Sequence, residues 1–230
     1  MEGKMEDHLQ ATAFCDWQAP EILGLAEEIC QGAFTEKERA LRIFSFIRDE
    51  IYFGINNMKT KATGVLRLRT GECGTKTNLQ IALLRAVGIP ARFRITRCKS
   101  EALRGIVPDW LANRMPPAVS HFWCECFLEG RWVSCEAMLD RPLYESLLEK
   151  GQIKLEEIPT IDWDGESDLT VMKPWIVEER GALASYDDIY EMMDKSRGEE
   201  GIPPRIVERL FGWMIYWYLR RYTDKVRKRR

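Results

Sequence analysis

A two-residue turn near the middle of the chain constrains the fold most strongly, because it fixes the register of a β-hairpin. Residues 121–137 read HFWCECFLEGRWVSCEA, which is two alternating stretches joined by Glu129-Gly130. A turn at this dipeptide places Leu128 opposite Arg131. Side chains alternate between the two faces of a strand, so this register assigns every hairpin residue to a face. One face is predicted to carry His121, Trp123, Glu125 and Glu136.

The histidine on this face has a carboxylate within reach. Glu136 lies diagonal to His121 across the predicted hairpin, about 7–8 Å away between Cα atoms and closer between side chains. A carboxylate in that position holds the imidazole tautomer and supports the imidazolium. The chain has two histidines, and the other one, His8, lies in a polar terminus that we expect to be loose. Asp140 has the same parity as Glu136 but lies beyond the strand, so it is the second choice.

The opposite face of the hairpin collects three cysteines, Cys124, Cys126 and Cys135, together with Phe122 and Leu128. Three clustered thiols are compatible with zinc, but structural zinc sites normally have four ligands, and no free histidine supplies the fourth. Buried cysteine commonly behaves as a small hydrophobic residue. We therefore expect these cysteines to pack in the core, and we expect no metal and no other cofactor.

A strongly apolar helix precedes the hairpin. Residues 75–87, TKTNLQIALLRAV, carry a nearly continuous apolar face, and Gly88 followed by Pro90 ends the helix. The next residues, ARFRI, alternate like a strand. Upstream, residues 20–31 and 36–50 are predicted to form amphipathic helices.

The segment TGECGTKT, residues 70–77, superficially resembles a phosphate-binding loop. A P-loop requires G-x-x-x-x-G-K-[ST], but Thr75 separates Gly74 from Lys76, and the first glycine of the motif is missing. We therefore reject this interpretation and expect Lys76 to be a solvated residue of the first helical turn. We expect Gly71 and Gly74, which have no side chains, to leave room for the backbone of a substrate.

Cys73 in this segment is the candidate nucleophile. It lies where the helix begins, and the positive end of the helix dipole lowers the pKa of a thiol there. With His121 as the base and Glu136 as the orienting acid, it completes a predicted Cys–His–Glu triad. Trp123 and Trp110 are candidate walls of a substrate cleft, although tryptophan is more often a packing residue.

The C-terminal segment contains a predicted amphipathic helix that begins after Pro203-Pro204 and ends in a basic tail. Its apolar residues are Phe211, Met214, Ile215, Trp217, Tyr218 and Tyr222. The basic residues are Arg220, Arg221, Lys225, Arg227, Lys228, Arg229 and Arg230. Such a helix binds a membrane surface or an acidic partner. The interpretation that we favour is that its apolar stripe docks on the core and its basic tail is solvated. Residues 160–170 are interpreted as a surface loop.

Composition excludes several classes of protein. The 230 residues are 45% hydrophobic and 30% charged, which is enough to bury a core, and the net charge of -2 gives no general attraction to nucleic acid. No apolar run approaches the roughly 18 residues that a membrane span needs. The start, MEGKMEDHLQ, lacks the features of a secretory signal. We therefore expect a cytoplasmic protein whose seven cysteines are mostly reduced.

The order of these motifs resembles the transglutaminase-like superfamily. The motifs are Gly71-Glu72-Cys73, AVGIPARF at 86–93, H-x-W-x-E from His121, and G-x-W-V from Gly130 followed by an acid at 136. The resemblance covers roughly residues 36–140. It implies an α+β fold with a papain-like core, in which N-terminal helices and a cysteine at a helix N-terminus pack on an antiparallel sheet. We expect a core at 1–142 and an extension at 143–230, which ends in the C-terminal helix and packs on the core as one domain.

Members of this superfamily act on carboxamides through a cysteine thioester. The resemblance implies that Cys73 is the nucleophile and His121 the base, while Glu136 stands where the family usually has aspartate. We therefore expect acyl chemistry on a peptide or a glutamine-type amide, with hydrolysis slightly favoured over transfer. The alternative is a peptide- or partner-binding module whose triad is weak or inactive, with the C-terminal helix as its membrane or partner contact. The sequence indicates no nucleic-acid partner, and it does not determine the oligomeric state.

Overall fold

A computed structural model of the protein describes residues 4–196 and 205–228. The α-helices in these residues are α1 (Pro20–Cys30), α2 (Glu36–Glu50), α3 (Ala62–Leu68), α4 (Cys73–Ala86), α5 (Asp109–Ala112), α6 (Arg141–Glu149), α7 (Tyr186–Ser196) and α8 (Arg205–Lys228). The strands are β1 (Tyr52–Phe53), β2 (Thr70–Gly71), β3 (Ala91–Lys99), β4 (Ala118–Leu128), β5 (Arg131–Ser134) and β6 (Ile176–Leu183). Short 3₁₀ helices lie at Met5–Leu9, Ser100–Leu103 and Lys173–Trp175.

The centre of the fold is a four-stranded antiparallel sheet with strand order β5-β4-β3-β6. Helix α4 packs against β4, and α1, α2 and α3 surround α4. Because α4 is enclosed by a sheet and three helices, its residues from Gly74 to Arg85 are buried on every side of the helix. The α+β fold, with the cysteine helix packed on an antiparallel sheet, is confirmed.

The hairpin has the register that its turn predicted. Leu128 pairs with Arg131 and Glu125 pairs with Ser134. Glu129 and Gly130 have φ angles of 51° and 82°, which is the left-handed pair that a two-residue hairpin turn requires. The three cysteines of the other face, Cys124, Cys126 and Cys135, are fully buried in the core. Core packing of these cysteines is therefore confirmed.

The N-terminal segment is packed, so the prediction of a loose His8 is wrong. His8 is buried, and its ring lies edge-on to Trp132 of β5 with 4.7 Å between the ring centroids. Burial and the nearby Arg92 and Arg85 lower the pKa of this histidine. The Trp132 ring also contacts the Arg92 guanidinium, 4.0 Å from the ring centroid, so the N-terminal segment packs against an ordered part of the sheet.

The segment that follows the hairpin contributes to the same core. Strand β6 pairs along β3, and buried residues of α6, of residues 158–175 and of α7 belong to the cluster that surrounds α4. The loop at 160–170 is irregular, as predicted, but it also buries Ile161 and Trp163. Among the described residues, no helix is long and apolar enough to cross a membrane.

Helix α8 docks on α6 through one face. Leu219, Thr223 and Val226 are buried, and Ser146 Oγ of α6 donates to the Val226 carbonyl at 2.6 Å. The interpretation that this helix docks on the core agrees with these contacts, whereas the expectation of a wholly solvated basic tail is wrong at Arg227.

The side chain of Arg227 is 8% exposed, and its guanidinium pairs with the carboxylate of Asp140, with N–O distances of 2.8 and 2.7 Å. Several positions of the predicted helix are outside the described residues. They are Pro203, Pro204, Arg229 and Arg230, and, for their side chains, Phe211, Ile215 and Lys228.

Candidate active site

Cys73 is the first residue of α4, at the position that the sequence predicted. The preceding residue, Glu72, is the N-cap, and its carboxylate accepts hydrogen bonds from the backbone N–H groups of Gly74 and Thr75, both at 2.7 Å. The helix N-terminus is therefore already occupied by a negative charge from the chain itself. The same carboxylate lies 3.3 Å from Cys73 Sγ.

The electrostatics of Cys73 are the reverse of the sequence-based expectation. Burial raises the pKa of the thiol well above its usual value, and the charge and hydrogen bond of Glu72 raise it further. The backbone N–H groups of Phe122 and Gly74 act in the opposite direction and do not offset these effects. The prediction of a lowered thiol pKa is wrong because it counted the helix dipole and omitted both the burial of the thiol and the acid that caps the helix.

His121 and Glu136 form the pair that the hairpin parity predicted. The distance from His121 Nε2 to Glu136 Oε1 is 2.8 Å, and both side chains are buried. An ionised carboxylate only accepts hydrogen bonds, so Nε2 of the imidazole carries the proton and Nδ1 has the free lone pair. The extra methylene of glutamate relative to aspartate is thus compatible with a hydrogen bond of normal length.

Glu136 is fixed by residues that the sequence analysis did not connect with the site. Its second oxygen, Oε2, accepts from the Met172 backbone N–H at 3.1 Å. Its own backbone N–H donates to the Leu169 carbonyl at 3.1 Å, next to a bridge between Cys135 and Leu169. The extension beyond residue 142 therefore positions the candidate third member of the triad.

Cys73 and His121 both line one cavity of about 390 Å³. The sulfur of Cys73 lies beside the backbone N–H of Phe122, the residue that follows His121. Most of the other lining residues are apolar, and they include Met193 of α7 and Tyr216 of α8. The cavity is consequently built from the core and from both C-terminal helices.

The two candidate cleft tryptophans do not line this cavity. Trp123 is buried beside His121, with 5.9 Å between ring centroids, and its Nε1–H donates to Ser134 Oγ at 3.1 Å. Trp110 in α5 is 48% exposed, and its ring faces Tyr218 of α8. Trp123 therefore packs against His121, and Trp110 belongs to the outer surface near α8.

Asp140, the second choice for the acid, has a different set of contacts. Its carboxylate accepts from the backbone N–H groups of Phe53 at 2.8 Å and Leu143 at 3.1 Å, and it pairs with Arg227. These contacts join β1, the start of α6 and helix α8. Asp140 is a structural anchor, and its carboxylate is fully engaged away from His121.

The expectations for the glycines and lysine around Cys73 are wrong. A Cβ at Gly71 would lie 2.9 Å from the Lys76 backbone nitrogen, and a Cβ at Gly74 would lie 2.9 Å from the Tyr186 ring. A side chain at either glycine would therefore clash with other residues of the protein, so the glycines allow close packing inside the protein. Lys76 is 1% exposed, and its Nζ donates to the Met138 carbonyl at 3.1 Å. Burial lowers the pKa of Lys76 to about 7.

Comparison with known proteins agrees with this architecture. Residues 24–137 match the family model of the transglutaminase-like superfamily, so this part of the chain has the core of that superfamily and belongs to it. Membership supports cysteine-dependent hydrolase or acyltransferase chemistry in general. A search of curated proteins finds no match.

Two solved structures are similar to parts of the chain. One, from Cytophaga hutchinsonii, is described as a candidate cysteine protease; it has 23% identity and a TM-score of 0.48, over 63% of this chain and 45% of that one. The other, described as a candidate protease from Parabacteroides distasonis, has 13% identity and a TM-score of 0.37, over 56% of this chain and 24% of that one. The chain thus spans less than half the length of either structure.

Proposed function

We propose that the protein performs cysteine-dependent acyl chemistry on amides through a thioester on Cys73, with hydrolysis slightly favoured over transfer. The observation that carries this proposal is the shared cavity of Cys73 and His121, with Glu136 holding the far nitrogen of the imidazole at 2.8 Å. A buried histidine–carboxylate pair beside a thiol at a helix start matches the general arrangement of nucleophile, base and orienting acid.

The proposed reaction begins with a neutral thiol. His121 Nδ1 takes the proton as Sγ of Cys73 attacks the amide carbonyl carbon, and Glu136 stabilises the resulting imidazolium. The C–N bond then breaks, and the imidazolium gives its proton to the departing nitrogen. The Cys73 backbone N–H, at the first turn of α4, is the proposed donor to the developing oxyanion.

The second half of the reaction restores the enzyme. Water, or a primary amine in the case of transfer, attacks the thioester carbonyl while His121 accepts its proton. The C–S bond breaks and the thiolate recovers the proton from His121. Hydrolysis and transfer share every protein group in this scheme, so the nucleophile that reaches the thioester determines the product.

Mass spectrometry of a glutamine-containing peptide library tests the proposal. We expect the wild type to cut or deamidate peptides, and we expect a mass gain only when an added primary amine intercepts the thioester. Cys73→Ala should abolish both products, whereas Cys30→Ala, which removes another partly exposed thiol, should retain them. Full activity of Cys73→Ala on every amide that the wild type converts would refute the proposed function.

We propose a peptide or protein as the substrate, the cytoplasm as the compartment, and one domain for residues 1–142 and 143–230. The domain proposal is supported by the pairing of β6 with β3 and by the contacts of the extension with Glu136. The compartment is supported by seven cysteines, an odd number, all of which are free.

The second candidate function is a partner-binding module that uses the exposed side of α8. Trp217 and Tyr218 are 57% and 45% exposed, and the Arg221 guanidinium lies over the Trp217 ring at 4.8 Å. Aromatic and basic groups on one helix suit an anionic membrane surface or an acidic partner. Flotation of the full chain with anionic liposomes tests this candidate, and the double variant Trp217→Ala/Tyr218→Ala should then remain in the soluble fraction.

A further inference from the structure

We infer that the cavity beside Cys73 is an acyl-binding site, which accepts a flexible, uncharged apolar chain on the acyl side of the scissile amide. This inference rests on the proposed function and names the substrate class of the same site. Its starting observation is the composition of the lining. Five of the nine methionines in the chain line this one cavity: Met58, Met115, Met138, Met172 and Met193.

Methionine is the side chain that best suits a variable apolar ligand. It is unbranched and polarizable, so it adapts to different apolar shapes without leaving gaps. The cavity is also lined by Leu103, Val107 and Val119. A volume of about 390 Å³ lies within the range of roughly 300–1,000 Å³ that whole small ligands occupy. The cavity is therefore large for the single side chain of a peptide residue.

The polar groups of the lining disfavour an anionic ligand beside Cys73. Glu72 caps α4, and Asn56 Oδ1 accepts from the Thr75 hydroxyl at 2.9 Å, so both are engaged within the protein. Lys99 lies 3.8 Å from Glu101. A carboxylate or phosphate on the substrate would meet the negative charge of Glu72 beside Cys73, and burying it there without a partner is costly.

The order of events in the reaction determines which half of the amide the cavity retains. The acyl half remains bonded to Sγ between the two steps, whereas the amine half leaves after the first step. An apolar cavity that includes Sγ gains most by holding the half that stays, because that interaction persists until water attacks the thioester. The amine half then departs through the open side of the cavity.

Protection of Cys73 from iodoacetamide by straight-chain primary amides measures binding without requiring turnover. From butanamide to octanamide, we expect the apparent Kd to fall about fourfold with each added methylene, since a buried CH₂ contributes about 0.8 kcal/mol. A Kd that does not change with chain length would overturn the acyl site. N-acetyl-norleucinamide has the same number of carbons as octanamide, and tighter binding of this amino-acid amide would overturn the inference in favour of a peptide side chain.

A pair of matched variants locates the binding. Ala102 lines the cavity, and Ala112 lies on α5 outside it. Ala102→Leu should weaken protection by octanamide at least tenfold and leave butanamide within about twofold, whereas Ala112→Leu should change neither. Equal effects of the two variants would contradict a site in this cavity. If Ala102→Leu does not fold, the wild-type chain-length series alone decides the question.

Turnover of the same amides separates the two proposals. Hydrolysis that depends on Cys73 but not on chain length would refute the acyl site and leave the proposed function intact. Protection that depends on chain length, without any product from any amide, would refute the proposed function and leave a site for apolar chains. We expect kcat/KM to rise about fourfold per methylene, in parallel with the binding series.

Discussion

Replacing Glu72 by glutamine should make Cys73 more reactive, although Glu72 caps the helix that carries it. Glu72 Oε2 lies 3.3 Å from Sγ, and two unit charges at that distance interact by about 5 kcal/mol at an effective dielectric constant near 20. This value is an upper bound, because water and nearby polar groups screen the pair. We therefore expect the pKa of the Cys73 thiol to fall in Glu72→Gln, because the charge and the hydrogen bond of this carboxylate raise it in the wild type.

The expected change in alkylation rate follows from that shift. At pH 7 the thiolate fraction should increase, but the thiolate becomes less nucleophilic as its pKa falls, with a Brønsted coefficient of about 0.4–0.5. Each tenfold increase in the thiolate fraction should therefore raise the labelling rate about threefold to fourfold, and we expect a gain of at least about threefold. The assay is the pseudo-first-order rate of iodoacetamide labelling at Cys73, followed by peptide mapping between pH 5.5 and 9.5.

Two controls accompany this measurement. Glu101→Gln removes a carboxylate that lies near the cavity but interacts with Lys99, and its labelling profile should match that of the wild type. The thermal midpoint of Glu72→Gln should fall modestly, because a lost cap bond costs about 0.5–2 kcal/mol. If the labelling profile of Glu72→Gln keeps the wild-type midpoint or moves to higher pH, the assignment of Glu72 as the group that opposes the thiolate is wrong.

Three further predictions concern the groups around Cys73. Because burial lowers the pKa of Lys76 to about 7, the unfolded chain binds more protons above that pH. Through this residue, the free energy of unfolding should therefore rise by about 1.5 kcal/mol from pH 7 to 8.5. Denaturant titrations should show this rise in the wild type and in the exposed control Lys154→Met. If the free energy of unfolding changes with pH in the same way in the wild type and in Lys76→Met, the prediction is wrong. Glu136→Gln should lower kcat/KM about 10²- to 10⁴-fold on any amide that the wild type cleaves, and near-normal activity would remove Glu136 from the triad. Asp140→Asn should cost up to about 3–5 kcal/mol in urea denaturation, because the Arg227 guanidinium loses its fully buried partner and keeps only the more exposed Asp224 and the Phe53 carbonyl. The added change Arg227→Met should recover part of that loss. A cost below about 1 kcal/mol would show that this ion pair does not anchor α8.

The hairpin shows what local sequence determines. Its turn fixed the register, the register fixed the faces, and the shared face brought His121 within hydrogen-bond distance of Glu136. The helix of Cys73 was predictable for the same reason, since its apolar face and its ending at Gly88 are local features. Strand alternation and helix termini depend on neighbouring residues, so a single sequence contains them.

The features that escaped prediction depend on contacts between distant segments. Lys76 is buried in α4 and donates to the Met138 carbonyl, and Glu136 accepts from the Met172 N–H of the extension. No periodicity in the sequence connects these positions. The effect of Glu72 was available from sequence, because an acid immediately before a helix is a natural N-cap whose charge opposes a neighbouring thiolate.

Acid quenching of a reaction during its first turnover is the most direct test of a thioester on Cys73. The wild type is mixed with an amide that it cleaves and quenched on the millisecond-to-second scale, and the mass of the tryptic peptide that contains Cys73 is then measured. We expect this peptide to gain the mass of the acyl group before free product accumulates, and we expect Cys73→Ala to give neither the adduct nor the product. Product that accumulates at full rate while Cys73 stays unmodified would contradict a thioester on this residue.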